Sequence, residues 1–210
     1  DRPSAAAIFG SYDAAPACPG LVSRYRNLWH RYVHLSGAGL AETFWGGLGG
    51  VRADVFHLVG GFDSERYPRP QIEDIEFGYR LRDAGAVIVL DPAIEGTHLK
   101  GWVLGRMVVT DFRDRAIPWM RLLLERRGKR VPTLNVSPKE QVRVVIAGSA
   151  ALAGGAAVLW SEPLLAWLGL GLQLLLVVSN LAVYRWFAQQ QGLRLAAVAV
   201  PLHLWYYLSN

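Results

Sequence analysis

The sequence predicts an α/β portion followed by a transmembrane helical hairpin, and three observations carry that reading. Ala86-Val87-Ile88-Val89-Leu90 is a β-rich run without apolar/polar alternation, the pattern of a strand covered on both faces of an α/β sheet. Strand-like runs and helical patterns follow one another through the first two thirds of the chain. Charge then almost vanishes, with no charged side chain in residues 144–160 or in 164–184.

In chain order, Ala5 to Gly10 reads as a short buried strand, and Pro16, Pro19 and Gly20 make a turn-rich exit. Residues 21–35 read as a helix, with Leu21, Tyr25, Leu28, Trp29 and Tyr32 at helical spacing and Gly37-Ala38-Gly39 ending it. Thr43 to Val51 combines strand-like aromatics with Gly46, Gly47, Gly49 and Gly50. Glycines of this kind serve tight strand packing or a floor under a bulky substrate, and both readings stay open. Arg52 to Val59 is a short helix capped by Gly60-Gly61. A central helix runs from Gln71 to Ala84 and stops at Gly85. The buried strand follows and ends at Asp91-Pro92. A basic, Trp-bearing helical pattern covers 102–124, where Pro118 is expected to break or kink it. Such segments often lie in the membrane interface.

As helices, the two uncharged runs span roughly 26 Å and 31 Å, against about 30 Å for a bilayer core. Ser161-Glu162-Pro163 leaves room only for a tight turn between them. Residues 195–208, with Pro201 and His203, are either a truncated third crossing or an interfacial helix. The expected organisation is therefore a soluble-type portion over 1–130, a linker over 131–143 and a membrane region over 144–210. Arg113, Arg115, Arg121, Arg126, Arg127, Lys129 and Arg130 crowd ahead of the first run, and Arg185 and Arg194 follow the second. Beside membrane segments these mark a cytoplasmic-side anchor rather than a nucleic-acid site. The expectation is a multi-pass cell-membrane protein whose soluble-type portion is cytoplasmic. Cys18 is the single cysteine, so there is no internal disulfide and no cysteine metal site. The chain opens on Asp1-Arg2-Pro3-Ser4 without an initiator methionine and stops inside an apolar run at Asn210, so both ends are expected to be truncations.

Glu73 and Asp74 stand at the start of the central helix, where the dipole and free amide donors stabilise anions. Gly78, one turn on, is expected to leave open space beside Asp74, so that a substrate hydroxyl could surrender its proton there. Acidic residues in a first turn are common for dipole reasons alone, so the pair gains meaning only from its company. His30 and His34 have the spacing of a zinc-protease pair, but Arg31 stands where that chemistry needs a glutamate, so they read as ordinary helix residues that could line a pocket.

The ordered set Gly46-Gly47, Gly49-Gly50, Arg52, Gly60-Gly61-Phe62-Asp63, Glu73-Asp74-Ile75-Glu76-Phe77-Gly78-Tyr79-Arg80-Leu81, Gly85 and His98 resembles the acceptor-side half of family 2 glycosyltransferases. The resemblance covers about residues 5–130. It implies part of a nucleotide-diphospho-sugar transferase (A-type) fold and an inverting transfer of a hexose-like sugar from a nucleotide-sugar donor to an acceptor hydroxyl. It implies Asp74 as catalytic base and Glu73 as its companion, orienting the acceptor or the loop. It also implies a divalent cation, magnesium or manganese, with His98 as a ligand and the other ligands outside this chain. Trp45, Gly46, Gly47 and Arg80 are the expected substrate contacts, although Arg80 could instead pair with an acidic neighbour. The family's Asp-x-Asp donor motif occurs nowhere in the sequence, which leads to the expectation that the donor-binding half lies outside it and that this portion alone is inactive. Gln-x-x-Arg-Trp, the mark of processive members, is also absent. That favours single-sugar transfer, to an acceptor that could be lipid-linked, in the making of envelope polysaccharide or glycolipid. The competing reading is a non-catalytic, membrane-anchored module that binds a partner or lipid head groups.

Overall fold

The computed structural model describes residues 5–127 and 137–209. Asp1 to Ser4, Lys129 and Arg130 of the basic cluster, residues 131–136 of the expected linker, and Asn210 lie outside them. The chain divides into two compact units, Asp1–Leu134 and Asn135–Asn210.

The first unit is mixed α/β. Its elements are β1 (Ala7–Tyr12), α1 (Leu21–Ser36), β2 (Gly39–Ala41), β3 (Gly49–Val51), α2 (Ala53–Leu58), α3 (Glu73–Asp83), β4 (Ile88–Gly96), α4 (Leu104–Val109), a π-helical turn (Thr110–Ala116) and α5 (Ile117–Glu125). The strands lie in the order β2-β4-β1-β3. β1 and β4 run parallel, and the short outer strands pair antiparallel to them. Ala7, Phe9, Ile88 and Leu90 bury their side chains with Phe44, Phe77 and Leu81, so α3 packs on the sheet through Phe77 and Leu81. The acidic first turn and the basic last turn of α3 match its dipole, and Gly85, at φ +77°, ends it.

One expected boundary is corrected. β4 does not stop at Asp91-Pro92 but continues to Gly96. Opposite Phe9 and Ser11 of β1 stand Leu90 and Glu95, so the residues between them bulge out of the ladder, where a proline costs no hydrogen bond. Gly10 permits this, because a Cβ there would lie 2.1 Å from the Ile94 carbonyl oxygen. Pro118 likewise does not break the helical path. The π turn ends at Ala116, and Pro118 falls in the first turn of α5. Of the 43–51 stretch, only Gly49–Val51 is a strand.

The expected interfacial role of 102–124 is also revised for one face. Leu122 and Trp119 pack with Tyr67, Ile72 and Tyr79 in a second core. Arg126 forks onto Asp83 at 2.8 and 2.9 Å, and Arg113 pairs with Asp114 at 3.0 Å. Several members of the basic cluster are thus employed inside the first unit. Leu104, Phe112, Met120 and Leu124 remain exposed.

The second unit is helical: α6 (Pro138–Trp160), α7 (Pro163–Ser179), α8 (Leu181–Gln191) and α9 (Leu193–Leu208). The Ser137 side chain caps α6, so the helix begins inside the segment expected to be linker. α6 is long and apolar enough to cross a membrane. The second apolar run is not one straight helix: it breaks at Asn180, and α7 and α8 meet at 57°. The break is held by polar groups. Asn180 Nδ2 donates to the Leu176 carbonyl at 2.9 Å, Arg143 donates to the Ser179 carbonyl, and the Tyr207 hydroxyl lies 2.9 Å from Glu140 Oε2 and 3.0 Å from Asn180 Oδ1. These contacts supply donors to carbonyls that a helix end leaves unpaired.

Candidate active site

The site forms beyond the carboxyl ends of the parallel strands β1 and β4, the usual ligand position in open α/β sheets. β1 delivers Tyr12, and the chain leaving β4 delivers His98. The Tyr12 ring packs against His98 at 4.4 Å, Trp45 at 4.7 Å and His30 at 5.9 Å. Trp45 also meets His34 at 4.9 Å. A cleft of about 540 Å³ lined by Ala5–Ile8, Gly50–Arg52, Val89 and Asp91 opens at the other end of β1 and does not include these residues.

Asp74 lies in the first turn of α3. Its Oδ1 accepts from the Ile75 N–H at 2.8 Å and its Oδ2 from the Gly46 N–H at 3.0 Å. Burial pushes its carboxyl up from the ordinary value to about 6, assisted by the neighbouring Glu73 charge and opposed by the two amides and Arg115. The dipole alone would have lowered it, so desolvation wins. Glu73 turns away and accepts from the Gln71 N–H at 2.6 Å, which fixes the loop entering α3.

The glycines divide by task. Gly78 leaves no open space beside Asp74, contrary to expectation: a Cβ there would lie 2.2 Å from the Phe44 nitrogen and 2.8 Å from the Thr43 Cα. Its bareness lets the 43–46 backbone lie directly on α3, and that contact delivers the Gly46 amide to Asp74. Gly47 and Gly49 make room for the rings of Trp45 and Phe44, which are tight-packing roles. Gly46 is the one that borders the carboxylate, its missing Cβ falling 3.5 Å from that of Asp74.

Arg80 pairs with an acidic neighbour. Its guanidinium donates to Glu76 at 2.8 to 3.0 Å and to the Val59 and Gly61 carbonyls at 2.5 and 2.7 Å. Those bonds clamp the turn where Gly60 and Gly61 hold φ of +79° and +64°.

Sequence reasoning missed Arg115 and Tyr12. Arg115 was absorbed into the basic cluster, but it feels the charges of Asp74, Tyr12, Asp111 and Arg26, and burial beside Arg26 pulls its guanidinium down to about 10. Tyr12 is pushed up by burial. His30 and His34 belong to the aromatic wall. Burial holds His30 well below its ordinary value and lowers His34 to about 4, so both are neutral at pH 7.

The expected metal finds a poor set of donors here. His98 Nδ1 is buried without a hydrogen-bond partner, but burial and the charges of Lys100, Arg26 and Arg115 all lower its pKa, so its surroundings are cationic. Both Asp74 oxygens are engaged by amides. Among the described residues no group of three His, Cys, Asp or Glu side chains converges to hold an ion. These residues do not fit a chain-held divalent cation at His98.

No family model matches the chain, and neither the curated proteins nor the solved structures give a match.

Proposed function

We propose that the chain carries the acceptor side of a membrane-bound, inverting, non-processive glycosyltransferase that moves a sugar from a nucleotide-sugar onto a hydroxyl. The supporting observation is Asp74: a desolvated carboxylate with a pKa near 6, placed by two backbone amides beside an aromatic wall. A group with that pKa is ionised at pH 7 yet still basic enough to take a proton. In the proposed step, Asp74 removes the acceptor hydroxyl proton while that oxygen forms a bond to the anomeric carbon. The bond from that carbon to the donor diphosphate breaks, and the diphosphate leaves with the electron pair. Trp45 and Tyr12 give an apolar face to stack on a sugar ring, and the neutral His30 and His34 lend that face no charge.

The membrane setting follows from α6 and from the exposed Trp160 and Trp167 beside the hairpin turn, where interfacial aromatics gather. The basic residues Lys139, Arg185 and Arg194 support a multi-pass topology with the first unit in the cytoplasm. An acceptor linked to lipid suits that setting.

The test is sugar transfer from nucleotide-sugars in membranes of cells expressing the gene that encodes this chain. Asp74→Asn is expected to lose about 100-fold or more in kcat, the usual worth of a general base. Undiminished transfer by that variant would refute the assignment.

A further inference from the structure

We propose that the anionic part of the ligand, a diphosphate group, rests directly on this chain's own cations beside His98, with no divalent ion on that imidazole. The inference depends on the transfer reading only for the choice of diphosphate over other anions. Trp102 is the platform. It is 7% exposed and fixed to α1, its N–H donating to Ser23 Oγ at 2.8 Å. The Arg26 guanidinium carbon lies 5.0 Å from the Trp102 ring centroid and Lys100 Nζ lies 4.3 Å from it. Arg26 is buried, oriented by Asp111 at 2.6 Å, and its Nε has no acceptor. Arg115 stands one turn after Asp111 on the π turn and has no ion-pair partner among the described residues.

Of the carboxylates near these three cations, Asp111 is committed to Arg26 and Asp114 to Arg69 and Arg113. Arg26 and Lys100 both stand against the Trp102 ring, so their charges repel each other there. A divalent ion on His98 would add to that repulsion, whereas a diphosphate would relieve it. The unpartnered Nδ1 of His98, 92% buried by its 8% exposure, can then donate a hydrogen bond to a phosphoryl oxygen. The arrangement supplies as fixed side chains the positive charge that a metal would bring, so the leaving diphosphate meets it without reorganisation.

The test titrates inorganic pyrophosphate into the full chain in detergent micelles with EDTA present, followed by calorimetry. Saturable binding in EDTA is expected, weakened about tenfold by Arg115→Gln and by Lys100→Gln, the loss of one charge-assisted contact in each case. Lys100 is exposed, so that variant keeps its fold and the comparison stands even if Arg115→Gln unfolds. Binding that appears only with added magnesium, or that neither variant weakens, overturns the proposal. Uridine diphosphate and farnesyl diphosphate compete in separate arms. Displacement by either supports a diphosphate site and names its source as nucleotide or lipid; displacement by neither overturns it. Metal-free pyrophosphate binding without sugar transfer counts against the transfer reading alone. Transfer accompanied by magnesium-dependent pyrophosphate binding counts against this proposal alone.

Discussion

Asp74 concentrates the chemistry into one titration. Because its folded-state pKa, about 6, exceeds the ordinary 3.8, two pH effects of opposite sense follow. The base works only when ionised, so kcat/KM for sugar transfer should rise through about pH 6 and level off above it, and a profile flat from pH 5 to 8 would exclude Asp74 as the titrating base. Stability moves the other way. Protonation favours the folded state, so this contribution is complete below pH 3.8 and lost as pH rises through 6. Asp74→Asn should therefore melt higher than wild type at pH 7.5, with the gap narrowing toward pH 5, in paired thermal-unfolding measurements. A constant gap would show that Asp74 titrates alike in folded and unfolded chains. Burial and the charges of Lys100, Arg26 and Arg115 lower the pKa of His98.

Among the elements, the contact of α3 with the 43–46 backbone is the decisive one. Gly78→Ala places a methyl 2.2 Å from a backbone nitrogen, which no rotamer change relieves. Overpacking of this sort costs about 1–3 kcal/mol, and here it also withdraws the Gly46 amide from Asp74. The variant should be destabilised by that order in denaturant melts and lose transfer activity out of proportion to its folded fraction; a neutral melt would contradict the packing. Much of this region was legible beforehand. The glycine cluster, the acidic first turn and the helix stop at Gly85 are local signals, each set by dihedral or dipole preferences that a sequence displays. Gly78 was misread because bareness in a sequence does not say whether space or another backbone fills the gap. Asp91-Pro92 looked like a strand end because the bulge that accommodates it depends on Gly10, some eighty residues earlier. Arg115 was invisible because its importance comes from Tyr12 and Asp74, far away along the chain.

For the whole molecule, the two units were apparent from the disappearance of charge after residue 143, since the solvent preference of a segment is a sum over its residues. The course of the membrane helices was less so. Asn180 sits in a run that composition alone presents as continuous, and the bend there follows from long-range partners, Arg143 and Tyr207. A reporter placed after Glu162 should read as extracytoplasmic and one after Gln191 as cytoplasmic, if the first unit faces the cytoplasm. A cytoplasmic signal at Glu162 would invert or abolish the proposed topology.

The π turn at Thr110–Ala116 has a consequence for angular phase. An α-helix advances about 100° per residue, and a π turn advances less, so α5 emerges rotated relative to a uniform continuation of α4. A helical wheel drawn through 102–124 therefore mixes two faces. The slip separates the face of α4, with its buried Met107, from the face on which Trp119 and Leu122 of α5 pack with Tyr79. The length of that seven-residue turn, rather than the identity of any one side chain in it, sets the angle between the buried side of α4 and that of α5.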